Sequence, residues 1–440
     1  MQLLKKNPAF LFLILIQLGF IIAALNLGHS TTKDSTEYLL QADNLRSSGS
    51  WYCGDLNQEF DPALLSQRPP LYGLFLAFTE FPFSGILLVL IVQSLLSFLN
   101  CVLAWNIFKR ISGKEMKATV FFLPLIFFSS QFIYANMLMS EILFQSAWMI
   151  AAYFLIRFIY AHQIADLWKH QFSICVAMLI KPVAFIFPIV SIPFIFYLIK
   201  KEKLPSEILI TFIAPLLVIF GMIAYNFQHT GVAEYSSIQR KLMINYNIPA
   251  LLNLKQDQSI TQTEIDSIQS IAATLNYPER ARFIDQQCFL WIKKQTVQYI
   301  GLHFKGIISF FLDHGRWDLY QFFTGKTDEF NAVNLRSVYT KDGMSGALHY
   351  IMGFSSLLVL YLALTILMNF ILLICFIRFI FLHSVPKHIR IGISIMVIYI
   401  ALLTGPSASA RFRTAVYPLL LITWGICLVE KKKVLNFPIK

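Results

Sequence analysis

Three carboxylates stand at positions where the chain could remove a proton from a substrate. Asp34 and Glu37 are three residues apart, which places both on one face of a helix just beyond the first apolar run. Glu141 follows Ser140 at the start of a later apolar run, where a charge without a role is costly. A carboxylate within hydrogen-bond reach of a hydroxyl or an amine can act as a general base. The structural alternative is that these acidic residues only favour helix N-termini.

Four cations stand where they could hold a phosphate or a carboxylate. Arg68 precedes two prolines and Lys181 precedes one, so each lies at a rigid break in the chain. Arg411 and Arg413 precede the last apolar run; they face one side if the segment is extended and diverge if it is helical. Such groups stabilise the negative charge that develops on a leaving phosphate. The alternatives are a rigid turn, a snorkelling lysine and two helix anchors.

Other chemistries find little support. The chain contains no G-x-S-x-G, G-x-G-x-x-G or H-E-x-x-H pattern. The histidines expected on the same side as Asp34 lack ligand spacing; they are His29, His303, His314 and His349. A divalent cation held by the oxygens of Asp34 and Glu141 stays possible, and no other cofactor is indicated. Cys53 and Cys288 both fall in segments expected outside the membrane, where they could pair.

These residues need membrane helices to position them. Of the 440 residues, 57% are hydrophobic and 14% are charged, whereas soluble domains average about 25% charged residues. The composition excludes a soluble globular protein, a disordered chain and a disulfide scaffold. The formal net charge is +12, with basic residues at the ends of apolar runs, as the positive-inside rule expects. No motif supports binding to nucleic acid.

The apolar runs predict about ten transmembrane helices, since each crossing needs about 20 residues. They lie near residues 9–27, 84–108, 118–135, 140–160, 172–199, 207–225, 351–381, 391–405 and 414–429. The run at 172–199 counts as two short passes that meet at Lys181, because this arrangement keeps the basic residues at 200–203 in the cytoplasm. The first run is too long for a signal-peptide core. Both termini are expected in the cytoplasm, because lysines at 5–6 precede the first run and lysines at 431–433 follow the last.

The sequence divides into three parts of an all-α integral membrane protein. Residues 1–225 form an N-terminal transmembrane module, which includes a first outer loop at 29–72. Residues 226–350 form an outer-face segment, in which Phe283 to Leu312 shows the helical spacing typical of helices lying on the membrane surface. Residues 351–440 form the C-terminal transmembrane helices.

Several short motifs occur in an order that resembles a known enzyme family. Asp34 begins the pattern D-x-x-E-Y-x-x-x-A-x-N-L, and R-P-P-L-Y follows at 68–72. S-E occurs at 140–141, Asn226 precedes a glycine and a serine, and R-F-R-T-A-V-Y-P occurs at 411–418. Together these motifs resemble membrane glycosyltransferases of the GT-C superfamily. The most similar group is family 39-like, which includes protein O-mannosyltransferases and lipid A aminoarabinose transferases.

The resemblance implies a polyprenyl-phosphate sugar as the donor and a glycan, a lipid or a protein as the acceptor. It implies transfer with inversion on the periplasmic or extracellular face of the cell (inner) membrane. It makes Asp34 the base, with Glu141 assisting it or holding a metal, whereas Glu37 departs from the adjacent Asp-Glu pair of the O-mannosyltransferases. The candidate ligands of the donor phosphate are Arg68, Lys181, Arg411 and Arg413. The candidate substrate contacts are Tyr38, Tyr72 and Asn226.

Two other functions fit the same composition. A transporter or flippase of lipid-linked or anionic substrates would place ionisable residues near the membrane midplane, in broken helices of repeated halves. A non-catalytic protein of this fold, acting in envelope assembly, would have no need of the carboxylates and late arginines.

Overall fold

The computed structural model describes residues 8–80, 85–326 and 355–430, together with a few positions between 338 and 353. Within these residues every regular element is a helix. Seven helical segments there are long and apolar enough to cross a membrane. They are Pro8–Leu27, Leu87–Ser112, Glu141–Ala161, Pro182–Glu202, Ser206–Thr230, Ser356–Phe381 and Ala410–Val429. The chain is therefore an all-α, multi-pass membrane protein, as its composition predicts.

We label the described α-helices in chain order. Those up to residue 230 are α1 (Pro8–Leu27), α2 (Lys33–Ser48), α3 (Pro62–Gln67), α4 (Pro70–Glu80), α5 (Leu87–Ser112), α6 (Ala118–Phe122), α7 (Ser130–Ala135), α8 (Glu141–Ala161), α9 (Ile164–Ile180), α10 (Phe187–Glu202) and α11 (Ile213–Thr230). Those that follow are α12 (Ile238–Leu242), α13 (Ile248–Leu252), α14 (Gln258–Ala273), α15 (Tyr277–Lys294), α16 (Thr296–Leu312), α17 (Arg316–Thr324), α18 (Ser356–Phe381), α19 (Lys387–Leu403), α20 (Ala410–Arg413) and α21 (Tyr417–Val429).

The apolar run at 172–199 belongs to two helices, as the sequence predicts. α9 ends at Ile180, and Lys181 is extended, because a residue before proline avoids the helical conformation. A short 3-10 turn, Pro182–Ala184, then leads into α10. α8 and α9 pack as a hairpin that reverses at His162, whose left-handed backbone (φ 53°) ends α8. The start of α8 and the end of α9 therefore lie at the same end of the molecule.

Basic residues that flank the long helices collect at the opposite end, which we call the basic end. α5 and α10 both finish with lysine or arginine in their last turn. Arg378 near the end of α18 pairs with Glu430, just after α21, at 2.9 Å. His388 at the start of α19 lies 3.6 Å from Glu202 at the end of α10. Ends of several long helices thus share one charged, polar boundary.

The helices α12 to α17 pack against the end of the bundle away from the basic end, and we call them the outer segment. α16 shows the clearest two-sided character. Val297, Phe304 and Ile308 are exposed on one side of it. On the other side Gly306 approaches Gly405 so closely that an added Cβ would lie 1.9 Å from its carbonyl oxygen. α16 therefore presents an apolar stripe outward and a close helix contact inward.

The two cysteines that could have paired are both free. The Cys53 thiol donates a hydrogen bond to the carbonyl oxygen of Leu64 at 2.7 Å. Cys288 is buried with Ile244 and Ile265, in an apolar cluster of the outer segment that does not include Cys53. The possible Cys53–Cys288 disulfide is therefore not formed, because the fold places the two thiols in different environments.

Candidate functional site

Charged side chains from separate parts of the chain meet at the end of the bundle away from the basic end. They come from α2, from the link between α3 and α4, from the two ends of the α8–α9 hairpin, from α12 and from α20. We call them the charged cluster: Asp34, Glu37, Arg68, Glu141, Lys181, Lys241 and Arg411. Six of these seven residues are predicted from the sequence.

Asp34 lies in the first turn of α2, where Thr32 and Ser35 form a capping box that fixes the start of the helix. Each of its carboxylate oxygens accepts a hydrogen bond from a different arginine. Arg68 Nη2 lies 2.7 Å from Oδ1, and Arg411 Nη2 lies 2.7 Å from Oδ2. Burial raises the pKa of Asp34, but the two guanidinium groups outweigh it and hold this pKa well below its usual range. Asp34 is therefore ionised and oriented from two sides.

Glu37 lies one turn later on the same face of α2 and pairs with two cations, one of which, Arg68, it shares with Asp34. Arg68 Nε donates to Glu37 Oε2 at 2.7 Å, and Lys241 Nζ donates to Oε1 at 2.8 Å. Arg68 can reach both carboxylates because it is held extended before its two prolines. Gln41 fixes that backbone by donating to the Arg68 carbonyl oxygen at 3.1 Å. The predicted rigid turn and the predicted cation are thus one feature.

Glu141 is the first residue of α8, where the helix dipole favours a negative charge. Its Oε1 accepts from Lys181 Nζ at 2.8 Å and from Arg411 Nε at 2.6 Å. Its Oε2 is buried and has no hydrogen-bond partner among the described residues. The hairpin of α8 and α9 brings Lys181 to Glu141. α20 places Arg411 against the first turns of both α2 and α8. Arg411 therefore bridges Asp34 and Glu141 through a single guanidinium.

Tyr38 and Tyr72 lie beneath the cluster rather than at its surface. Their rings pack edge to face with centroids 4.6 Å apart, and both are buried. The Tyr38 hydroxyl lies 3.0 Å from Ser140 Oγ, and the Arg68 guanidinium stacks 4.9 Å from the Tyr38 ring centroid. Tyr38 therefore contacts both Arg68 and the start of α8, and Tyr72 packs against Tyr38.

Two predicted site residues are not brought to the cluster. Residues 410–413 are helical, so Arg413 points away from Arg411. Arg413 is buried and donates to carbonyl oxygens of Phe311 and Asp313. Asn226 is also buried, and its amide donates to the carbonyl oxygens of residues 234 and 235, which closes the turn after α11. Both side chains are used in holding backbone segments together.

Two charged residues at the site, Lys241 and Asp318, are not predicted from the sequence. Lys241 stands in a polar segment with many other charges, so nothing in its surroundings marks it. Asp318 on α17 is buried and accepts hydrogen bonds from Ser130 at 2.6 Å and Tyr134 at 2.7 Å. Burial raises the pKa of Asp318 to about 6. Tyr134 in turn lies against Arg411, with the guanidinium 6.0 Å from the ring centroid.

The donor set does not fit a resident divalent cation. Arg411 occupies the position between Asp34 and Glu141 that such an ion would take. In the part of the chain that the structure describes, no three His, Cys, Asp or Glu side chains are grouped to hold a metal. The charged cluster contains four cations and three carboxylates, so its excess charge is positive. Its electrostatics suit an anionic ligand.

No known protein family matches the sequence, and no curated protein matches it either. The fold and the site by themselves define a class: a multi-pass membrane protein, helical throughout the described residues, with a partly exposed, net-positive cluster at one end of its long helices. What such a cluster does has to be argued from its chemistry.

Proposed function

We propose that this protein is a membrane glycosyltransferase of the GT-C type, similar to family 39. It transfers a sugar from a polyprenyl-phosphate donor to a glycan, lipid or protein acceptor. The observation that carries this proposal is the bridge made by Arg411, which holds Asp34 and Glu141 together beside two further cations. In a glycosyl transfer from a lipid phosphate, a proton acceptor has to lie beside the attacking group, and cations have to lie beside the leaving phosphate. Both therefore have to line the same site.

The chemistry assigns each group a part. The acceptor's oxygen or nitrogen forms a bond to the anomeric carbon from the side opposite the phosphate, and the bond between that carbon and the phosphate oxygen breaks. The acceptor's proton passes to the Asp34 carboxylate. The lipid phosphate leaves as an anion, stabilised by Arg68, Lys181 and Arg411. The sugar's configuration is inverted, because there is one displacement.

The direction of the site in the membrane follows from charge. Basic loops favour the cytoplasm, so the basic end faces the cytoplasm of the cell (inner) membrane and the charged cluster faces the periplasmic or extracellular side. Ten crossings would include the seven long helices, the short helices at 118–135, α9 and α19. The outward stripe of α16 would then rest on the outer membrane surface.

The alternatives fit this arrangement less well. A transporter would need its ionisable groups near the middle of the membrane. Here Glu141 begins α8, Lys181 follows the end of α9, and Arg411 stands at the start of the last long helix. A non-catalytic assembly protein would gain nothing from burying the Glu141 carboxylate, which is 2% exposed, at such cost.

The test is transfer by the purified protein in lipid nanodiscs, supplied with polyprenyl-phosphate sugars and membrane extracts as acceptor. We expect labelled sugar to appear in acceptor material, and Asp34→Asn to lower the rate about 100- to 10,000-fold because proton removal is lost. Asp43→Asn is the matched control, since Asp43 lies on the same helix, is exposed and pairs only locally with Arg46. No transfer from any lipid-phosphate sugar, in protein that is folded, would overturn the proposal. Comparing envelope glycans with and without the gene by mass spectrometry would identify the acceptor.

A further inference from the structure

Glu37 is the carboxylate of the charged cluster that pairs with its most exposed cation, Lys241. Its two oxygens are held by cations from different parts of the chain: Arg68 before α4 and Lys241 on α12. The side chain of Lys241 is 44% exposed, whereas that of Arg68 is 9% exposed. Glu37 therefore lies between a buried cation and one at the mouth of the site.

The backbone fixes the position of Lys241 independently of Glu37. Ser237, just before α12, donates from its amide to the Ser66 carbonyl oxygen at 3.2 Å and from its hydroxyl to the Ala63 carbonyl oxygen at 2.6 Å. Ser236 donates to the Gln67 carbonyl oxygen at 2.7 Å. These bonds end at the residue before Arg68. α12 and the Arg68 segment are thus joined by bonds that do not involve Glu37, so the backbone positions of the two cations do not depend on it.

A carboxylate held in this way resembles a bound phosphate. Both groups present two acceptor oxygens to a guanidinium and an ammonium group, with similar geometry and negative charge. We propose that Glu37 is an internal counter-ion, whose place on Arg68 and Lys241 is taken by the phosphate of the donor. Lys241 is then a phosphate ligand supplied by the outer segment. The inference rests on the proposed function, because it takes the anion to be a lipid phosphate.

The other two carboxylates are poorly placed for this exchange. Glu141 is 2% exposed and is held by two cations on one oxygen. Asp34 is held by Arg68 and Arg411 and is the proposed base, so it has to stay. Glu37 can leave at least cost, because Arg68 keeps Asp34 as a partner and Lys241 is open to solvent.

The experiment measures the equilibrium binding of farnesyl phosphate to the purified protein in detergent by calorimetry. A counter-ion competes with the ligand, so we expect Glu37→Gln to tighten binding about 3- to 30-fold. Lys241→Gln is expected to weaken it by a similar factor. Asp43→Asn and Lys255→Gln remove the same charges from α2 and from an exposed position of the outer segment, and we expect them to change binding less than twofold. Farnesol, which has no phosphate, is expected to bind Glu37→Gln and the wild type equally.

Weaker or unchanged binding of farnesyl phosphate by Glu37→Gln would overturn the inference, provided that its unfolding temperature matches that of the wild type. Should that variant fold poorly, Glu37→Ala and Lys241→Arg give the same test, with tighter binding and near wild-type binding expected, respectively. The two proposals fail separately. A protein that shows the expected affinities but transfers no sugar would overturn the glycosyltransferase and leave the counter-ion standing.

Discussion

Arg411 and Arg413 show how two neighbouring residues of one type can differ in role. Arg411 bridges Asp34 and Glu141 at the charged cluster. Arg413 is 1% exposed, donates to backbone carbonyl oxygens, and stacks 4.9 Å from the Phe128 ring centroid. A lysine keeps the charge in both places but lacks the planar fork with several donors. The same substitution should therefore have different consequences at the two positions.

We expect Arg411→Lys to lower transfer about 30- to 1000-fold, because one contact to the leaving phosphate is lost, with little change in unfolding temperature. We expect Arg413→Lys to lower the free energy of unfolding by about 2–3 kcal/mol, because buried carbonyl groups lose their partner. Thermal unfolding in detergent and the transfer assay check the pair. Reversed effects, with Arg413→Lys stable but inactive, would contradict the placement of Arg413.

The sequence predicts six of the seven residues of the charged cluster, and it misses Lys241. Asp34, Glu141 and Lys181 are noticeable because a charge beside a long apolar run is costly and needs a partner. Lys241 stands among other charges in a polar segment, where a charge is ordinary. Which cation meets which carboxylate depends on contacts between residues 204 positions apart, as for Glu37 and Lys241. The spacing of residues along the sequence does not predict such contacts.

Among the helices, the contact between α16 and the turn after α19 is the tightest that can be tested. Gly306 lies against the Gly405 carbonyl oxygen, and a Cβ there would be 1.9 Å from it. Gly306→Ala has to push α16 away, so we expect the free energy of unfolding to fall by about 1–3 kcal/mol. Gly301→Ala on the same helix is the control, because nothing lies within 4 Å of its added Cβ. Equal unfolding temperatures for the two variants would contradict this packing.

The long helices could be predicted because their apolar length is a direct requirement of the membrane. The Lys181 break could be predicted as well, since proline restricts the residue before it. The run at 118–135 is predicted as a single apolar segment, but it is not one helix. It forms α6, a 3-10 stretch at Leu123–Phe127 that contains a proline, and α7. An apolar run shows that a segment is buried in lipid or protein, but not whether it is one helix.

Across the whole molecule, charge and helix direction agree on one orientation. α8 runs from the charged cluster towards the basic end, and α10 finishes there with Lys200 and Lys201. Arg378 and Glu430 place the ends of α18 and α21 at the same boundary. The positive-inside rule then predicts that the basic end is cytoplasmic and that Asp34 is reached from outside. Under the proposed function, this orientation decides which pool of acceptors the site can use.

Fusions to a reporter that is active only outside the cytoplasm test this orientation. We expect activity when the reporter follows Asn57 or Lys255, because both lie in segments at the cluster end. We expect none when it follows Lys114 or Lys203, since both lie in basic loops that resist transfer across the membrane. The four positions also test the hairpin, because α8, α9 and the 182–202 helix have to cross in succession for Lys203 to return to the cytoplasm. Activity at Lys203 and Asn57, with none at Lys114, would mean that one of the four crossings between Lys114 and Lys203 is missing: the short helices at 118–135, α8, α9 or the 182–202 helix. Activity at Lys203 and Lys114, with none at the other two, would place the charged cluster on the cytoplasmic face and require a donor made available there.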